Sequence, residues 1–425
     1  MNILMMTNTY KPIIGGLEKS VESFTGEYRR AGHRVVIVAP EYDGAPEESG
    51  VVRVPALQDF NGSDFSVQLP VPGVLSAALK GFAPDIVHAH HPFLIGDTAL
   101  RLAYARSVPL VFTHHSLYEH NTHYVPGDSA ALKRFVVELS TGYANVAHQV
   151  IAPSGSVRDL LLERGVETPI EVVPTGIDLE PYASGQRERW RRFWGIPKDG
   201  YVIGHVGRLA PEKNLELLSA AAARHLSADP ESYLLLVGEG PSRARLEQYF
   251  TERGVRERVF FTGLQRGQEL VDAYSAMDAF LFVSQSETQG LVLAEALACG
   301  VPLIAVDACG VRDAVRDGHN GYLVGRQDEA LIADAILRHR RLSAERRSEM
   351  RQIAVQDAER YSMPQCAARA LGVYERLIEE HAFSRKDDNL WTAARGRIKA
   401  EWRILKNLTK ATTGAVIKKG APGAA

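Results

Sequence analysis

Short apolar runs recur along the chain, each closed by glycine or polar residues and followed by a longer stretch of helical spacing. Asn2 to Met6, Arg34 to Ala39, Asp85 to Ala89, Pro109 to Thr113, Gln149 to Ala152 and Ile170 to Val173 read as buried parallel strands. A helix is expected from about Leu17 to Ala31, and helical stretches separate the later strands. The turn-rich segment Pro174 to Tyr182 reads as a hinge. A second alternation then begins, with strands at Tyr201 to Val206, Tyr233 to Val237, Val259 to Thr262, Ala279 to Val283, Pro302 to Val306 and Gly321 to Val324. Two successive alternations predict two doubly wound α/β domains. In such sheets ligands sit beyond the carboxyl ends of the strands.

Composition narrows the class. A chain of 425 residues can bury two cores, and 45% hydrophobic with 24% charged residues describes a soluble globular protein. A net charge of -2 argues against a general nucleic-acid binder. Cys299, Cys309 and Cys366 are far apart and form no C-x-x-C, which implies a reducing compartment and no zinc knuckle. Met1 to Met6 is too brief for a secretory core, and no run of about 18 apolar residues could span a bilayer. A cytoplasmic protein is expected.

The chemistry gathers at strand ends. After the run Ala279 to Val283, a polar loop carries Glu287, and Gly290 opens a helix to about Cys299 that carries Glu295 eight residues after Glu287. A helix N-terminus suits an anion, Gly290 permits close approach, and carboxylates accept hydrogen bonds from sugar hydroxyls. A phosphorylated sugar fits that combination, although two such glutamates also occur on ordinary surfaces. After the strand Tyr201 to Val206 come Arg208, in the loop, and Lys213, expected to start the next helix. Two cations beside a strand end can clamp a diphosphate, although a plain basic loop has the same residues. Gly15-Gly16 lacks the G-x-G-x-x-G spacing of a dinucleotide site, so an NAD reading fails on its own fingerprint. His88, His90, His91, His114, His115, His120 and His123 invite a metal reading. They have no H-E-x-x-H spacing, and no Asp-x-Asp pair occurs, so no metal site is expected.

These stretches resemble the retaining glycosyltransferases of family 4. Glu287 and Glu295 stand in the E-x7-E signature, the stretch Gly204 to Asn214 resembles its G-R-x-x-x-x-K-N segment, and Gly15-Gly16 its glycine loop. His115 to Pro126 looks like the H-[ST]-x-Y-E-x-x-x-x-Y-V-P pattern of the diacylglycerol glucosyltransferase branch, although His114 stands where an aromatic residue is common. The resemblance covers roughly residues 1–374. It implies a GT-B fold of two Rossmann-like domains facing across a cleft, to which the residues beyond it add a C-terminal helical tail. It implies a nucleotide-sugar donor, UDP-glucose by default, a membrane lipid acceptor, retention at the anomeric carbon and no metal or other cofactor. It assigns His115, Arg208, Lys213 and Glu287 to catalysis, and Gly15, Gly16, Arg208, Lys213, Gly263, Glu287, Gln289, Gly290, Leu291 and Glu295 to the donor. Glu119 and Tyr124 match acceptor-side positions. A soluble sugar acceptor, or a non-catalytic scaffold at a membrane, are the alternatives.

The expected organisation is an acceptor domain over 1–176, a donor domain over 177–362, a helix over 363–383 returning to the first domain, and a basic tail over 384–425. From Arg385 to Lys419 ten Lys and Arg stand against three acids, a net of +7 that leaves −9 on the rest of a chain totalling −2. Read as a helix, Trp391, Ala394, Ile398, Trp402 and Leu405 share a face, beside a basic stripe that includes Arg395, Lys399, Arg403 and Lys406. Glu401 interrupts the apolar arc. The tail suits either an anionic membrane on the inner face of the cell or a return onto the first domain.

Overall fold

The structure is a computed structural model that describes residues 1–13, 15–57, 67–68, 75, 79–120, 122, 129–382 and 390–417. It divides into two compact units, Met1–Gly176 with Pro364–Ala425, and Ile177–Met363.

The first unit is built on a parallel sheet. Its strands are β1 (Asn2–Met6), β2 (Arg34–Pro40), β3 (Val51–Val54), β6 (Ile86–Ala89), β7 (Leu110–Thr113), β8 (Gln149–Ala152) and β9 (Ile170–Val172). They lie in the order β3-β2-β1-β6-β7-β8-β9, while β4 (Ala56–Leu57) and β5 (Val67–Gln68) form a small antiparallel ribbon. β1 lies inside the sheet between β2 and β6, with Ile3, Leu4, Met5 and Met6 fully buried, as a strand covered on both faces must be. The helices are α1 (Gly16–Arg30), α2 (Ile95–Arg106), α3 (Ala130–Ala144) and α4 (Gly155–Glu163). Ser129 and Ser154 cap α3 and α4, their hydroxyls accepting from the N–H of Leu132 and Val157.

The second unit repeats the plan after a short helix α5 (Arg187–Phe193). Its sheet runs β12-β11-β10-β13-β14-β15. The strands are β10 (Tyr201–Val206), β11 (Ser232–Val237), β12 (Val259–Gly263), β13 (Ala279–Phe282), β14 (Leu303–Val306) and β15 (Gly321–Val324). Around it lie α6 (Leu215–Ala228), α7 (Arg243–Glu252), α8 (Gly267–Ser275), α9 (Leu291–Ala298), α10 (Glu329–Arg340) and α11 (Ala344–Ala358). Every residue of β10 and β13 is buried.

Two helices complete the first unit. α12 (Met363–Ala382) buries Tyr374, whose hydroxyl lies 3.2 Å from that of Tyr28 and 2.5 Å from Nδ1 of His88. α13 (Leu390–Ile417) packs on α2 and α3. Ala400 and Ala411 are buried there, Asn407 Nδ2 donates to the Leu139 carbonyl at 3.0 Å, and Arg101 grips Glu401 at 2.5 Å. A Cβ on Gly142 would lie 1.6 Å from Asn407, so glycine is what lets α3 and α13 approach. Arg403, expected on a membrane, is turned inward instead. It donates to the Val146 carbonyl at 3.5 Å and lies over the Tyr104 ring, because its position falls on the packed side of the helix.

Candidate active site

In the second unit β10 and β13 are neighbours, with Ile203 opposite Ala279 and Gly204 opposite Phe280. The loops leaving their carboxyl ends therefore meet. Lys213 Nζ donates to Glu287 Oε1 at 2.6 Å, and Ser284 Oγ donates to the same oxygen at 3.0 Å. Lys213 does not start a helix as expected. It closes a short turn, Pro211–Lys213, and Asn214, at φ 56°, separates that turn from α6. The turn is what carries the ammonium back over Glu287.

Arg208 is exposed, on a loop held rigid from below. Gly207 N–H donates to Val237 O at 3.0 Å and Leu209 N–H to Glu239 O at 2.9 Å. The turn after β11 can lie that close only as glycine, since a Cβ on Gly238 would sit 2.0 Å from Gly207 O and one on Gly240 2.3 Å from Leu209 O. Gly263, at the end of β12, accepts from Gly238 N–H at 2.9 Å in the same stack.

Gly290 adopts φ 70° and caps α9, leaving the first N–H groups of that helix to face the loop that holds Glu287. Gln289 is buried in that loop and Leu291 is the first residue of α9. Glu295 is more enclosed than a sugar contact needs to be. It is 3% exposed, and Tyr274 Oη donates to its Oε2 at 2.8 Å. Tyr182 lies close enough that the carboxylate, after burial, adds to the rise of its own pKa.

The sequence reading passed over Gly310. At φ 74°, a Cβ there would fall 2.5 Å from Glu287 O and 2.8 Å from the Gln289 N. Gly310 thus supports the Glu287 loop from behind, and only contact in three dimensions reveals it.

In the first unit, histidines collect at the ends of β6 and β7. His90 Nδ1 and His115 Nε2 share a hydrogen bond of 2.8 Å, and His88 Nε2 lies 2.7 Å from Thr113 Oγ1. Asn8 N–H donates to His91 Nδ1 at 3.1 Å, which places that ring's proton on Nε2. Burial pushes His88, His91, His114 and His115 down to about 3 and His90 well below its usual value, so all five are neutral imidazoles. Among the described residues no group of three or more His, Cys, Asp or Glu is arranged to hold a metal ion.

Two positions differ from the expected picture. Glu119 is tied to Arg164 on both its oxygens, each side chain 17% exposed, so its carboxylate is committed within the fold. Gly15 is the N-cap of α1, and beside it lies the carboxylate of Glu18, which takes a hydrogen bond from Thr9. An anion at this glycine loop would meet Glu18 unless that group is protonated, and burial raises its pKa in that direction. Tyr124 lies outside the described residues.

A model described as Glycosyl transferases group 1 matches residues 186–357, and one described as Glycosyltransferase Family 4 matches residues 14–181. A GDP-mannose-dependent alpha-mannosyltransferase of Mycobacterium tuberculosis (strain CDC 1551 / Oshkosh) is 30% identical over 338 residues, 76% of this chain and 83% of the relative. The chain belongs to the family 4 glycosyltransferases. An alpha-monoglucosyldiacylglycerol synthase of Streptococcus pneumoniae (strain ATCC BAA-255 / R6) is 29% identical over 364 residues, 81% of each chain. The structure of a sucrose-phosphate synthase from Thermosynechococcus elongatus superposes with a TM-score of 0.74 at 22% identity, covering 89% of this chain and 99% of that one. The fold of this family 4 glycosyltransferase is accordingly GT-B, and the protein is a hexosyltransferase.

One prediction follows from the support behind Glu287. In this glycosyltransferase Gly310→Ala should cost about 1–2 kcal/mol from its left-handed backbone alone and should also displace the loop. A fall in kcat larger than the fall in melting temperature would require is expected; unchanged turnover would show that Gly310 does not position Glu287.

Proposed function

We propose that this enzyme moves a hexose, with retention at the anomeric carbon, from a nucleoside-diphosphate sugar to a hydroxyl of a membrane lipid. UDP-glucose is the first donor to test and diacylglycerol the first acceptor. The observation that carries the reading is the Lys213–Glu287 pair beside the exposed Arg208 and the N-terminus of α9. As the bond from the anomeric carbon to the diphosphate breaks, its electron pair stays on the diphosphate. In this reading Arg208, Lys213 and the N–H groups of α9 stabilise that growing charge, as a metal would elsewhere. Glu287, released from Lys213 when the diphosphate takes the ammonium, accepts from sugar hydroxyls. Glu295, which Tyr274 orients on the buried side of α9, holds the ribose. Gln289 and Leu291 line the donor, and His115, neutral in its buried cluster, is the catalytic residue assigned to the first unit. The acceptor oxygen bonds to the anomeric carbon and its proton leaves with the diphosphate.

The lipid acceptor is supported by the alpha-monoglucosyldiacylglycerol synthases among the relatives, at 27–29% identity, whereas other relatives are mannosyltransferases and D-inositol 3-phosphate glycosyltransferases. The reading places the enzyme on the inner face of the cell membrane. The test is product analysis with UDP-glucose and GDP-mannose, each offered diacylglycerol in mixed micelles or a soluble inositol phosphate, with and without EDTA. Hexosyl-lipid formed equally in EDTA is the expected result. Transfer only to the soluble acceptor overturns the lipid assignment, and loss of turnover restored by Mg²⁺ overturns the role given to Arg208 and Lys213.

A further inference from the structure

α13 has two unlike faces. One is fixed on α2 and α3 through Ala400, Arg403, Asn407 and Ala411. The other carries Ile398, Trp402, Leu405 and Leu408, which are 71%, 67%, 56% and 45% exposed. Large apolar side chains at three- and four-residue spacing, turned away from the protein, have no structural reason to be there. Lys406 and Lys410 run along one edge of that stripe, both exposed, while Lys399 lies over the Tyr104 ring as Arg403 does. Beside it opens a groove of about 630 Å³ lined by Trp402, Leu405, Lys406, Lys410 and the Glu138 of α3. Glu401, which by sequence interrupts the apolar arc, is taken out of play by Arg101.

We propose that α13 is a fixed membrane-docking helix, with Ile398, Trp402, Leu405 and Leu408 entering the acyl boundary of an anionic bilayer and Lys406 and Lys410 meeting its headgroups. Charge complementarity selects this occupant. A lysine edge next to an apolar stripe matches an apolar layer bounded by phosphates. A second copy of the chain, paired antiparallel by a two-fold axis, would set this lysine edge against itself. No described helix is long and apolar enough to cross a membrane, so the contact lies along the surface. Because α13 is tied to α2 and α3 by ion pair and hydrogen bonds, the membrane would hold the first unit in one orientation rather than on a loose tether. Arg403 contributes to that anchoring and not to the lipid contact.

This deepens the lipid-acceptor reading, but its test does not depend on which acceptor is used. The full chain is sedimented with vesicles of phosphatidylcholine alone and with phosphatidylglycerol added. Wild type should bind the anionic vesicles and release them as salt rises. Trp402→Ser with Leu405→Ser, and separately Lys406→Glu with Lys410→Glu, should each weaken binding about tenfold or more. Both pairs are exposed, so UDP affinity and melting temperature should be unchanged. Equal sedimentation of wild type and variants overturns the proposal, as does equal binding to neutral vesicles. So does a wild-type dimer in light scattering that the Trp402 and Leu405 changes dissolve. Vesicle binding without transfer to diacylglycerol would remove the acceptor reading and leave the docking helix standing.

Discussion

Lys213→Ala should lower kcat by about 10²–10³, the scale for removing one electrostatic stabiliser of a developing charge. The structure adds a second consequence. Lys213 neutralises Glu287 at 2.6 Å, with both side chains largely shielded. Without it, Glu287 would stand as an uncompensated carboxylate facing an incoming diphosphate, so affinity for UDP should fall as well as turnover. Arg208→Ala removes an exposed cation with no such partner among the described residues, so its loss should appear mainly in kcat. Glu287→Gln should separate the two effects, because it leaves Lys213 unopposed and should keep or tighten UDP binding while slowing transfer. Calorimetry with UDP on the three variants, alongside steady-state kinetics, makes the comparison. A Lys213→Ala enzyme with wild-type kcat and raised acceptor KM alone would place that ammonium outside the donor site.

The second large effect is on acid stability. His88, His90, His91, His114 and His115 are neutral when folded, with burial pushing four of them to about 3 and His90 well down. In the unfolded chain each would titrate near 6.5. Below that value the unfolded state binds protons that the folded state refuses, so stability present above pH 6.5 is lost as pH falls towards 3. Each such group contributes a slope of up to about 1.4 kcal/mol per pH unit. Buried His205, His225 and His339 in the second unit, each pushed to about 4, add the same sign. Asp97, raised to about 6 by burial, and Glu18 act the other way but are fewer. A loss of several kcal/mol between pH 7 and pH 5 is therefore expected, a large share of a typical domain's stability. Urea midpoints by circular dichroism across this range check it, and a flat profile would show that the cluster is hydrated. His114→Phe is the sharpest probe. Neither ring nitrogen of His114 finds a partner among the described residues, and the ring already meets Phe112 and Tyr118 edge-on. An apolar ring should stabilise by about 1–3 kcal/mol and reduce the acid slope.

The strands that build both sheets were legible in the sequence because a strand buried on two faces must be a continuous apolar run, as in Ile3 to Met6 and Ala279 to Phe282. Local chemistry was legible too. Gly290 as the start of α9 follows from a backbone conformation that only glycine adopts easily. The edge strand Val51–Val54 was missed, since four residues outside a longer run carry little pattern. The spacing of two glutamates and two cations pointed to a phosphorylated sugar, but could not say which groups touch. That is a matter of sheet order. β10 and β13 are far apart in sequence and adjacent in the sheet, and this adjacency alone puts Lys213 on Glu287. The same holds for Gly310 behind the Glu287 loop, for Tyr274 on Glu295 and for Arg164 on Glu119. The tail shows the division most clearly. Periodicity determined that it is an amphipathic helix with an apolar face and a basic edge. Which face turns inward was decided by tertiary packing, through the small residues Ala400, Ala411 and Gly142, which let the helices close on the side opposite Trp402. A sequence fixes the faces of a helix by its period, but only the surface it meets selects the one that is buried.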